Sequence, residues 1–371
     1  MAVQRDALLW LHLWAVAMAA SGAAGSKVPA MFVFGDSTAD VGNNDYLPES
    51  SARANFPHNG VDFPGGKPTG RFSNGLIGVD FLAFSMGLSK SPPPYLSLVA
   101  NAANSSSSEL MNMTKAAAAY MTGANFASGG SGVLDSTGNT INMTKQIEYF
   151  SDLKDQMITR LSANRVSALL SKSIFLISAG GNDAFDFFSQ NRSLDSTGVQ
   201  QFSEAVISTY DSHVKTLYNL GARILAVINV PLIGCCPYWR SQNPTGACIE
   251  PLNQLAKRLN DGLGDLFSNL SSEMEGMKYS IASSYELVSS LIENPQVAGF
   301  EEVKSACCGG GRLNAEEGCT PKSSCCSDRS KYLFWDLLHP TQATSKFAGL
   351  AFYDGPAQFV SPITFKQLVE A

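Results

Sequence analysis

The chain is poor in charge and in histidine. Charged residues are only 16% of its 371 positions, the formal net charge is -6, and no basic block occurs. That argues against a nucleic-acid partner. Four histidines are present, at His12, His58, His213 and His339, so imidazole chemistry has few places to reside. Cysteine is missing before Cys235, and no C-x-x-C pair occurs anywhere. The cysteine pairs that do exist are vicinal and would crowd a tetrahedral ion, which argues against zinc. No apolar run reaches the ~20 residues of a membrane helix.

The N-terminus carries Arg5, an apolar run over residues 7–20, and then Ser21, Gly22, Ala23, Ala24 and Gly25. This pattern predicts a secretory signal peptide over residues 1–25, cleaved near Ala24 or Gly25. Five N-x-[ST] sequons follow, at Asn104, Asn112, Asn142, Asn191 and Asn269. All would be open to glycosylation in the secretory pathway. Eight cysteines, an even number, lie beyond the signal. In an exported chain they predict disulfides, one within 235–248 and others within 307–326, pinning loops. The expected location is therefore extracellular or cell-wall.

Five short runs read as strands, at 30–34, 124–127, 173–178, 223–230 and 278–282. Helical stripes lie between them. Val199, Phe202, Val206, Tyr210, Val214 and Leu217 repeat at 3–4 spacing, and Gly221 follows as a stop. Leu252, Leu255, Leu259, Leu263 and Leu266 form a second stripe, and Ile147, Phe150, Met157 and Leu161 a third. Alternating strands and helices imply right-handed crossovers and a covered parallel sheet. The expected fold class is α/β, a three-layer α/β/α sandwich around a mainly parallel sheet of about five strands. No linker divides the chain, so residues 26–371 read as one domain.

Ser37 sits in Phe34-Gly35-Asp36-Ser37, directly after the first strand. In parallel sheets that carboxyl edge is where ligands bind. A nucleophilic serine needs a base, a group to orient the base, and donors for the oxyanion. His12 leaves with the signal, and His213 falls in a helical stripe. His58 lies in a turn-rich loop. His339 follows Asp336 by three residues, within reach if the segment makes one helical turn, and Pro340 ends that turn. Asn125-Phe126-Ala127-Ser128-Gly129-Gly130-Ser131-Gly132 follows the second predicted strand, and Gly180-Gly181-Asn182-Asp183 the third. Each piece alone also reads as an ordinary turn. Together they put Ser37, Gly130 and Asn182 at the ends of three strands on one edge.

In these blocks the chain resembles the plant-type GDSL esterase/lipase family of SGNH hydrolases. The likeness begins at Phe32 to Asn44 and continues in Gly70-Arg71-Phe72-Ser73-Asn74-Gly75. It takes in the glycine block, Gly180 to Asp183, and Asp336 to His339. Thr38 departs from it, standing where the family name has leucine. The resemblance implies Ser37 as nucleophile, His339 as general base and then acid, and Asp336 as its orienting partner. It implies an oxyanion hole from the N–H groups of Ser37 and Gly130 and the Asn182 amide, with Gly129 the alternative to Gly130. It implies no metal and no organic cofactor. Arg71 reads as a structural ion pair sooner than a substrate contact. Phe63, Pro64, Tyr95 and the prolines at 92–94 are candidates to line a groove.

The expected function is an acyl-enzyme carboxylic-ester hydrolase acting on an acylated extracellular substrate. O-acetyl groups of a cell-wall polysaccharide such as xylan are the favoured target, and fatty-acyl or cutin-type esters the alternative. Acyl transfer to another hydroxyl would pass through the same intermediate. A non-catalytic binding protein on an esterase fold is the reading from a different class. Activity is expected to fall as His339 protonates, below about pH 6.5 for an unshifted imidazole.

Overall fold

The computed structural model describes residues 27–50, 52–103, 121–191 and 195–371. The signal segment and the sequons at Asn104 and Asn112 lie outside them. Among the described residues β1 (Met31–Gly35) leads to α1 (Gly78–Ser85), α2 (Tyr95–Ala103), α3 (Met143–Leu161) and α4 (Ala163–Leu170). β2 (Ile174–Ser178) precedes α5 (Gly181–Gln190) and α6 (Ser196–Leu220). β3 (Ile224–Ile228) precedes α7 (Pro237–Gln242) and α8 (Glu250–Glu273), and β4 (Lys278–Ala282) precedes α9 (Ser284–Glu293). Small strands follow: β5 (Glu302–Ala306), β6 (Cys308–Gly309), β7 (Ser324–Cys325) and β8 (Tyr332–Phe334). α10 (Gln342–Asp354), β9 (Val360–Ser361) and α11 (Phe365–Glu370) complete the order.

The main sheet runs β1-β2-β3-β4-β9. Its first four strands are parallel, with Met31, Ile174, Ile224 and Lys278 in register. β9 pairs antiparallel with β4. Every residue of β1 and β2 is buried, as expected of strands covered on both faces. α3 packs on β1 and α6, and α6 on α8; α1 packs on α10, and α11 on β3 and β4. The architecture is the α/β/α sandwich that the alternation predicts. Rings of Phe32, Phe34, Phe126, Phe150 and Phe175 lie 5.1–6.4 Å apart at its centre. α6 ends at Gly221, whose φ of 118° suits a glycine cap.

One predicted strand is not regular. Residues 124–127 run beside β1, with the Val33 N–H donating to Ala124 O and the Phe126 N–H to Val33 O. Only Asn125 makes a bridge, to Val33 and to Pro94. The outer neighbour is a run of prolines, which lack N–H donors and stop the ladder. The Asn43 amide instead takes the carbonyls of Asn125 and Ala127, at 2.8 and 2.9 Å. This extended segment lies outside β1, and β2 lies on its other side. The carboxyl end of β1 is therefore a topological switch point, where open α/β sheets hold their ligands.

Disulfides join Cys235 to Cys248, Cys307 to Cys326, and Cys308 to Cys319. All three fall within the expected windows, but Cys236 and Cys325 stay free, so the even count overstates the pairing. Cys308 faces Cys325 across β6 and β7, yet its sulfur is committed to Cys319. Cys307, Cys308 and Trp335 form a small buried cluster separate from the main core.

Candidate active site

The turn after β1 is shaped by a buried carboxylate. Asp36 Oδ1 accepts from the Thr38 N–H at 2.9 Å and from the Thr38 hydroxyl at 2.7 Å. The Asp36 carbonyl accepts from the N–H groups of Ala39 and Asp40. Ser37 sits at the tip of this turn, and its own N–H has no partner among the described residues. Below it, Gln146 of α3 clamps the Gly35 peptide, accepting from its N–H at 2.8 Å and donating to its carbonyl at 2.9 Å. Burial pushes Asp36 up to about 6, against the pull of its two bonds to Thr38 and of His339.

His339 reaches Ser37 from the other end of the chain. Its Nε2 lies 2.8 Å from Ser37 Oγ. Its Nδ1 lies 2.8 and 2.9 Å from the two oxygens of Asp336. A carboxylate on Nδ1 fixes the proton there and leaves Nε2 to accept from the serine. The segment is not the helical turn expected. Asp336 Oδ1 caps it by accepting from the N–H groups of Leu338 and His339, and the Trp335 N–H closes it onto His339 O. Burial lowers the His339 pKa, but the charge and hydrogen bond of Asp336 and the charge of Asp36 outweigh it. The net direction is upward from 6.5. For Asp336, burial raises the pKa, but the His339 charge and the bonds it accepts leave it below 3.8.

The glycine block and α5 bring donors to the same edge. The Gly129 N–H donates to Asp40 Oδ2 at 3.0 Å and is committed. The Gly130 N–H has no partner among the described residues, and its φ of 86° turns the backbone there. Asn182 Nδ2 spends one hydrogen on Ser131 O at 2.8 Å, leaving the other. Asp183 steadies the loop, accepting from Val133 N–H, Leu134 N–H and the Thr137 hydroxyl. The loop-holding roles of Asp40, Asp183 and Gln146 are not legible in the sequence, because a buried brace looks like any turn or helix residue.

The model of the GDSL-like lipase/acylhydrolase family matches residues 31–352. A GDSL esterase/lipase of Arabidopsis thaliana is 38% identical over 351 residues, covering 93% of this chain and 90% of the relative. Another from the same plant is 35% identical over 356 residues, covering 93% and 92%. The chain belongs to the GDSL-like lipase/acylhydrolase family. As a member, it is an ester-bond hydrolase.

In this GDSL-family chain a cavity of about 160 Å³ opens beside Ser37, Asn182 and His339. It continues across the ends of β2 and β3 to Leu287 and Val288 of α9, under Phe352 of α10. Its walls are mostly apolar. Phe72, from the G-R-F-S-N-G segment, lines it and packs on the His339 ring at 4.9 Å between centroids. Arg71 grips Asp80 through two 2.8 Å bonds and is a structural ion pair. Phe63, Pro64, Tyr95 and the prolines at 92–94 are absent from the cavity lining; Tyr95 is buried against Phe126 and Tyr149. His58 also lies away from it, and His213 is buried on α6 beside the Thr144 hydroxyl.

Proposed function

We propose that this chain is a serine carboxylic-ester hydrolase whose cavity takes an apolar acyl chain of medium length. Ser37 attacks the ester carbonyl as His339 takes its proton, with Asp336 holding the imidazole and its positive charge. The N–H groups of Ser37 and Gly130 and the Asn182 amide receive the oxyanion. His339 then protonates the departing alcohol, and water hydrolyses the acyl-enzyme by the same steps in reverse. The free N–H groups of Ser37 and Gly130 support this assignment, and the occupied Gly129 N–H favours Gly130 over its neighbour.

The observation that carries the acyl length is the apolar cavity. Crossing from β1 to the end of β4 spans three strand spacings, about 14 Å. An apolar cavity near 150 Å³ holds a ligand the size of benzene, about six carbons. An acetyl group would leave most of the space empty, so the lipid-ester reading gains on the polysaccharide-acetyl reading that export and glycosylation favour. Turnover of p-nitrophenyl esters from acetate to laurate tests it. A maximum at six to ten carbons is expected; a maximum at acetate, with acetate release from acetylated xylan, would return the assignment to deacetylation.

The same reading takes residues 1–25 as a removed signal and 26–371 as one hydrolase domain acting outside the cell. Three disulfides support an oxidising compartment. No helix among the described residues is long and apolar enough to cross a membrane. Asn269 and Asn191 are exposed, and Asn142 is half-buried as the N-cap of α3, so these sequons are offered as glycan sites in that order.

A further inference from the structure

The buried ring of Phe72 touches both halves of the site. Its centroid lies 4.9 Å from that of the His339 imidazole, with the planes tilted by 35°. Its tip lies on the glycine block, where a Cβ at Gly129 would fall 2.6 Å from both Phe72 Cε2 and Cζ. Gly129 does not have a positive φ, so the close approach of this ring, not backbone conformation, calls for glycine there. The Gly129 peptide is braced on both sides. Its N–H donates to Asp40 Oδ2 at 3.0 Å, and its carbonyl accepts from Asn44 Nδ2 at 2.8 Å. The segment that carries Phe72 is pinned as well. Arg71 grips Asp80 through two 2.8 Å bonds, the Ser73 carbonyl accepts from the Gly60 N–H at 2.9 Å, and Asn74 Oδ1 accepts from the Gln342 N–H at 2.8 Å.

We propose that Phe72 is a positioning residue for the ester hydrolysis: its ring, backed by Gly129, fixes the plane of the His339 imidazole so that Nε2 stays on Ser37 Oγ. This rests on the reading of His339 as the base for Ser37. Asp336 holds the Nδ1 edge of the imidazole. A ring held at one edge can still rock about it, and rocking carries Nε2 off the serine. An aromatic ring packed against the imidazole removes that freedom, and a misplacement of about 1 Å in a reacting pair can cost roughly 10²-fold in rate.

The test measures kcat and KM for p-nitrophenyl acetate and octanoate in wild type, Phe72→Ala, Phe72→Leu, His339→Ala and the Phe72→Ala/His339→Ala double variant. Thermal unfolding of each confirms the fold. In Phe72→Ala, kcat should fall roughly 10²-fold for both esters with KM little changed. Phe72→Leu keeps apolar bulk against the imidazole and should recover part of the loss. In the His339→Ala background the Phe72→Ala change should cost little more, because residues that act as a unit are not additive. If Phe72→Ala does not fold, Phe72→Leu is read instead, with and without His339→Ala. A loss confined to octanoate, or carried by KM alone, would make Phe72 only a cavity wall and overturn the proposal. So would an equal loss in the His339→Ala background. Turnover kept in Phe72→Ala but lost in His339→Ala overturns this proposal alone. Turnover kept in His339→Ala overturns the base assignment and this proposal with it.

Discussion

Ser37 and His339 meet at 2.8 Å, yet the turns that carry them are built from different materials. The Ser37 turn hangs from the central sheet. β1 is buried on both faces, Gln146 clamps its last peptide, and the Asp36 carboxylate folds the loop. The His339 turn belongs to no strand of that sheet. It follows Trp335, whose indole N–H donates to Asn59 Oδ1 at 2.8 Å and which packs with the Cys307–Cys326 and Cys308–Cys319 disulfides. The Cys307 and Cys308 N–H groups tie that cluster to the carbonyls of Phe334 and Trp335. A loop near residues 59–76 joins the halves. It brings Phe72 against His339, Asn59 to Trp335, and Asn74 to the Gln342 N–H at the start of α10. One half hangs from a sheet buried on both faces and is trimmed by polar bonds of Gln146 and Asp36; the other lies off that sheet and is held by cross-links and a few directed polar bonds.

The contrast can be broken from either side. The largest effect is expected from Asp336→Asn, which removes the charge that orients His339 and also weakens the turn. It should cut kcat by about 10⁴; retention of a tenth of wild-type activity would contradict the role. On the sheet side, Asn182→Ala should cut kcat by about 10²–10³ with the unfolding temperature little changed. A near-normal rate would remove Asn182 from the oxyanion hole. Replacing Cys307 and Cys326 by serine together should cost about 2–4 kcal/mol of stability. Activity in that variant should be lost at a lower temperature than the sheet unfolds, as activity assays and far-UV melting would show. Coincident loss of both signals would mean that the two halves are one cooperative unit.

The smallest effect is expected in the pH profile. His339 must be neutral to act as base, and its pKa is raised in the fold. The acid limb of kcat/KM should therefore lie above pH 6.5, and activity should fall as pH drops through it. Asp36 is one of the charges holding that value up, and the Thr38 hydroxyl helps keep Asp36 ionised. Thr38→Val should push Asp36 further up, leave it more neutral near pH 7, and move the acid limb downward. An unmoved limb in a folded variant would show that the two turns do not communicate through Asp36.

The sequence made the Ser37 half easy to read. Its strand is a continuous apolar run, and its turn is a compact motif. Gly130 and Asn182 follow segments of similar character. Apart from the family resemblance, the His339 half is legible as little more than a spacing of three residues before a proline. The feature that holds it, an Asx-capped turn set beside a disulfide cluster, depends on which cysteines pair, and eight cysteines leave that open. Thr38 read only as a departure from a motif, whereas its hydroxyl bonds Asp36 and lies 2.9 Å from Ser178 Oγ. β9 pairs only two residues, too few to leave a period in the sequence. The cavity could not be read at all, since residues from β2, β3, α9 and α10 meet there only after folding.

In the proposed mechanism Ser37 forms the acyl-enzyme with His339 as its base. The most direct test reacts wild type, Ser37→Ala and His339→Ala with a p-nitrophenyl alkylphosphonate and maps the adduct by peptide mass spectrometry. One phosphonate per chain is expected on the peptide containing Ser37, none in Ser37→Ala, and strongly slowed labelling in His339→Ala. An adduct at another residue, or ester turnover that persists in Ser37→Ala, would contradict it.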